Sequence, residues 1–234
     1  MAEHQHNDTI LLCHDVKGAY WQFGPLPPHQ GKFVLVGWTV SDSNEGVPAR
    51  IANALARGLA AFGRVSFLSS RVGAKQDTGW LPHGSDFVAT FSLRALHGWR
   101  GLLSGWRGPK HLVLLSTVRE ETVLGMFDDA GYPWWLQGQF ALLSRPAALP
   151  PDLAPHGRLL THLVEPDWAD AFSKLAQKGI EAVFRPGVDG SVAGVLCRSP
   201  EVLEEVEKNI CGAAGDFGLA YRRLSEQTFQ ASLG

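Results

Sequence analysis

The stretch Asp86–Thr117, DFVATFSLRALHGWRGLLSGWRGPKHLVLLST, governs the reading of the fold. Phe87–Phe91 and His111–Ser116 are short, apolar and rich in strand-forming residues, the pattern of strands covered on both faces. Between them Leu96, Trp99, Leu103 and Trp106 recur at spacings of three and four, one stripe of a helix. Arg94, Arg100 and Arg107 fall off that stripe, and Gly108-Pro109 stops it. Strand, helix and strand with short joints predict a βαβ unit, with parallel strands and a right-handed crossover.

The same grammar runs outward in both directions. Ile10–Cys13 reads as a first strand and Phe33–Val40 as a second. Ser41–Gly46 is rich in helix-capping residues, and Pro48 suits a first helical turn. Ile51, Leu55 and Leu59 then give residues 47–62 one apolar face, Gly63 stops the helix, and Arg64–Ser69 is a third strand. Residues 10–117 are therefore expected to form a Rossmann-like, mainly parallel α/β layer behind a flexible tail of residues 1–9. Residues 118–157 read as a connecting segment: a helix from Arg119 to Ala130, strands at 132–137 and 139–144, and the proline-rich PAALPPDLAPHG. In residues 158–234, strands at 159–164, 180–185, 192–197 and 218–224 alternate with helices at 167–177 and from Pro200 to about Ile210. With a turn at Asp189-Gly190 this is a ferredoxin-like βαββαβ unit. Residues 111–146 and 159–200 share an order of elements, either an old duplication or two uses of one common motif.

Composition excludes several classes. At 234 residues, 45% hydrophobic and 19% charged, the chain is globular rather than disordered. A net charge of -2 without a basic run argues against a nucleic-acid binder. No apolar stretch reaches the roughly 20 residues of a membrane helix, and the opening MAEHQHNDTI lacks the apolar core of a signal peptide. Cys13, Cys197 and Cys211 are widely spaced and odd in number, which points to reduced thiols and a cytoplasmic protein. The Ser41–Gly46 turn could receive an anion at the N-terminus of the following helix, but it is neither a P-loop nor GxGxxG, Glu45 would oppose a phosphate there, and no cofactor is assigned. His156 and His162 lack metal-ligand spacing, and His4 and His6 read as part of a solvated tail.

Ligands of parallel α/β sheets bind beyond the carboxyl ends of the strands. That rule selects His14, Asp15 and Lys17 after the first strand, Asp42, Asn44 and Glu45 after the second, and Arg71 after the third. His14, Asp15 and Glu45 are the candidate acid/base residues, with Lys17, Asp42, Asn44 and Arg71 as ligand contacts. The plainer reading has Asp15 and Asn44 capping turns and His14 satisfying a local carbonyl. Ile10–Tyr20, ILLCHDVKGAY, resembles the opening strand and turn of endo-β-N-acetylglucosaminidases of the glycoside hydrolase type over these eleven residues. That family's catalytic Asn-x-Glu has no counterpart, since Asn44 and Glu45 are adjacent.

Two functions follow as expectations. The first is a small polar ligand-binding protein, a hydrolase or transferase if it is an enzyme, acting on a sugar or related metabolite. The second is a non-catalytic regulatory or assembly module with a protein partner or a second copy. Its contacts would come from Trp99 and Trp106 or from Trp134-Trp135.

Overall fold

A computed structural model describes residues 8–14, 16, 32–39, 49–69, 87–92, 111–127, 140–146, 168–186 and 192–233. In chain order the elements are β1 (Thr9–Cys13), β2 (Phe33–Thr39), α1 (Ala49–Ala60), β3 (Arg64–Ser69), β4 (Phe87–Ser92), β5 (His111–Thr117) and α2 (Glu120–Phe127). They continue with β6 (Phe140–Ser144), α3 (Trp168–Ala176), β7 (Ile180–Pro186), β8 (Val192–Cys197), α4 (Pro200–Asp216), β9 (Ala220–Arg223) and α5 (Glu226–Leu233). The nine strands among the described residues join one sheet in the order β4-β5-β3-β6-β7-β8-β2-β1-β9. Every neighbouring pair is antiparallel except β1–β9.

The mixed α/β character holds, but the expected mainly parallel, Rossmann-like sheet does not. β4 and β5, read as parallel partners, are antiparallel, with Phe87 opposite Ser116 and Ser92 opposite His111. The strands of residues 10–117 do not form a layer of their own either, because β6, β7 and β8 lie between β3 and β2. The ferredoxin-like order is not reproduced: β8 pairs with β7 as a hairpin should, but its other neighbour is β2, and β9 pairs with β1. The cause of the misreading is burial. β1, β6 and β8 are buried along their whole length, so their sequences lack the apolar–polar alternation that usually marks an antiparallel strand. The expected strand at 159–164, the helix between β4 and β5, Trp134-Trp135 and the Asp189-Gly190 turn lie outside the described residues.

Parallel crossovers exist, but they vault over strands from elsewhere in the chain. Counting reversals along the sheet makes β2 parallel to β3, β5 to β6, and β8 to β9. These pairs are linked by α1, α2 and α4, which all contribute to one core. That core alternates along each strand, taking Ile10 and Leu12 of β1, Val34 and Val36 of β2, and Ala193 and Val195 of β8. Phe127 of α2 settles between Phe67 of β3 and Phe184 of β7, with ring centroids 6.2 and 6.1 Å away. The intervening strand residues Leu11, Cys13, Phe33, Leu35, Leu142 and Val183 build a second core with Phe172 of α3 and Phe229 of α5. Helices therefore cover both faces of the sheet.

Arg57 ties the three crossover helices at one end. Its Nε donates to Glu120 Oε1 at 2.8 Å, Nη1 lies 3.7 Å from Asp216 Oδ2, and its guanidinium sits 4.8 Å from the Phe217 ring centroid. The last two residues of the expected tail belong to the fold: Thr9 opens β1, and buried Asp8 accepts a 3.2 Å hydrogen bond from Arg50. Among the described residues no helix is long and apolar enough to cross a membrane.

Candidate functional site

The strands β1, β8 and β9 point the same way, and their carboxyl ends meet at one edge of the sheet. His14 follows β1, Ser199 and Pro200 follow β8 and open α4, and Arg223 ends β9. The start of α4 is well specified. Ser199 is extended (φ -146°, ψ 163°), its side chain accepts the Val202 N–H, and Pro200 needs no backbone partner in the first turn. Between these three ends lies a cleft of about 530 Å³, lined by His14, Pro200, Leu203, Glu204, Glu207, Arg223, Leu224 and Ser225.

Glu207 organises this cleft. Its side chain is 3% exposed, and both carboxylate oxygens are engaged. Oε2 lies 3.0 Å from His14 Nε2, and Oε1 accepts from Arg223 Nε at 2.7 Å. Burial opposes ionisation of the Glu207 carboxyl, but the close approach of His14 and the hydrogen bond from Arg223 outweigh it and hold the group below the ordinary carboxylate range. The same hydrogen bond raises the Arg223 guanidinium above its ordinary value. His14 meets Glu207 through Nε2 and leaves Nδ1 as its other polar atom. Arg223 spends Nε on Glu207, which leaves the far edge of its planar fork as a donor surface.

One turn further along α4, the half-buried Cys211 thiol is pushed up to about 11, first by burial and then by the Glu207 charge. It is not a nucleophile near neutral pH. Cys13, the last residue of β1, is buried in the second core. Among the described residues no group of three or more His, Cys, Asp or Glu side chains is arranged to hold a metal ion.

Of the residues selected from sequence, His14 lies in this cleft. Asp15, Lys17, Asp42, Asn44, Glu45 and Arg71 lie outside the described residues. Sequence reasoning passed over Glu207, Arg223, Glu204 and Ser225. One signal for Glu207 was present. Leu203, Glu207, Ile210 and Ala214 recur on one helical stripe, so a carboxylate occupies an otherwise apolar face. Arg223 carries no such mark, because it ends an exposed edge strand.

No family model, no curated protein and no solved structure matches this chain.

Proposed function

We propose that the chain binds a small, polar, hydroxyl-bearing molecule, a sugar or related metabolite, in the cleft between β1, β9 and α4. The observation that carries this reading is the buried Glu207 carboxylate clasped by His14 and Arg223 on the cleft wall. Burying an ion is costly unless it is paired, and a paired ion fixes the side chains that pair it. His14 and Arg223 therefore meet a ligand in a set orientation, with little left to order on binding.

The charges around the cleft argue for the class of ligand. Glu204 and Glu207 bring two carboxylates against one guanidinium. A phosphate or carboxylate ligand would meet both of them. Hydroxyl groups suit this wall better, because each can donate to Glu204 while accepting from Arg223. If the protein is catalytic, a hydrolase or transferase, His14 is the proton acceptor and Glu207 the group that orients it.

The test is a thermal-shift screen of neutral sugars, sugar phosphates, nucleotides and metal ions on the wild type, His14→Ala and Arg223→Ala. A ligand confined to the folded state stabilises it by about 2.7 kcal/mol at a hundred times its Kd. A neutral sugar is expected to raise the wild-type Tm, with the shift lost in both variants. Equal shifts in all three proteins would remove the site from this cleft. No shift from any compound would favour the assembly module, to be sought by sedimentation of the intact chain.

A further inference from the structure

The wall of the cleft is continuous with the C-terminal helix. Arg223, Leu224 and Ser225 follow one another along the cleft, and Ser225 caps α5 by accepting the Thr228 N–H at 3.4 Å. Leu224 is held to the sheet by donating its N–H to the Leu12 carbonyl at 2.8 Å. From there the chain passes to the other face: α4 belongs to the first core, whereas Phe229 of α5 belongs to the second. Phe229 is the buried residue of α5, at 0% exposure, while most of the remaining helix is exposed. Its seat is a notch in β2, where Gly37 has no side chain. A methyl group at Gly37 would lie 2.9 Å from Phe229 Cζ and 3.0 Å from Leu233 Cδ2.

We infer that α5 is an adjustable strap, latched by Phe229 in the Gly37 notch, whose docking positions Arg223 and Ser225 in the cleft. A short helix whose one fully buried side chain is Phe229, with Leu233 packed beside it, opens at a lower free energy than the sheet beneath it. The residues that join this anchor to the cleft are consecutive, so undocking α5 loosens the segment that holds Arg223 against Glu207. Phe229 is then a positioning residue that acts from the opposite face of the sheet. Its importance for ligand binding rests on the cleft being the site; its control of Arg223 does not.

The experiment is amide hydrogen exchange on the intact chain, as wild type, Phe229→Ala, Phe229→Leu and Gly37→Ala, with the His14 ring resonances followed by NMR in these proteins and in Arg223→Ala. In the wild type, amides of 224–233 are expected to exchange at least about tenfold faster than those of α4 and β2. Phe229→Ala and Gly37→Ala should raise exchange in 224–233 by a further tenfold or more and leave α4 and β2 protected, with Phe229→Leu intermediate. The His14 resonances should move in the direction seen in Arg223→Ala. Exchange of 224–233 that tracks α4 and β2 in every protein would overturn the inference, since α5 would then be an integral part of the core. Loosening of α5 with unmoved His14 resonances would also overturn it, by separating the strap from the cleft. Both readouts are made without ligand, so a failed ligand screen leaves them standing.

Discussion

At the scale of the residue, Glu207 shows how a single buried charge shapes its surroundings. Ionisation of the carboxyl is favoured because His14 and Arg223 lie against its two oxygens, and removing either leaves a buried charge short of a partner. Its depressed folded-state pKa has a definite consequence for stability. The folded protein binds the Glu207 proton less readily than the unfolded chain, whose glutamates titrate near about 4.3. The Glu207 contribution is therefore present above that value and lost as pH falls through the lower folded value. Urea midpoints of the wild type should fall more steeply from about pH 5 downward than those of Glu207→Gln. Parallel curves would show that Glu207 does not carry this acid limb. Glu205 is also held below the ordinary carboxylate range, mainly by its hydrogen bond from Arg145, but it is common to both proteins and drops out of the comparison.

At the scale of the element, the crossover helices depend on small residues. Gly58 of α1 faces α4 so closely that a methyl group there would lie 2.7 Å from Ile210 Cα, which is backbone and cannot turn aside. Gly58→Ala should therefore destabilise the fold, by about 1–3 kcal/mol in urea unfolding, despite the better helix propensity of alanine. An unchanged or raised midpoint would mean that α1 and α4 can move apart at no cost. Elements were the most legible level of this sequence. The apolar face of α1, helix α3, the start of α4 at Pro200 and the strands β1, β2, β3, β5, β7 and β8 follow from local periodicity and turn chemistry. Helix α4 runs on to Asp216, beyond the end expected near Ile210, because Ala213 and Ala214 continue its buried face past Gly212. Helix α5 went unread, since one buried phenylalanine in eight residues makes no periodic pattern.

At the scale of the molecule, strands from both ends of the chain interleave. The sheet runs from β3 through β6, β7 and β8 to β2, so neither end closes a sheet alone. Urea unfolding followed by tryptophan fluorescence and by far-UV circular dichroism should coincide in one transition. Two separated transitions would show that part of the chain folds independently.

Periodicity, capping and burial are properties of neighbours along the chain, and the sequence alone determined them: a mixed α/β protein, most of its elements, and His14 at a strand end. Strand order and direction depend on which distant segments meet, and strands buried on both faces read alike whether parallel or antiparallel. Tertiary structure alone decided that β1, β8 and β9 end together, and so brought His14, Glu207 and Arg223 within hydrogen-bonding reach across nearly the whole chain.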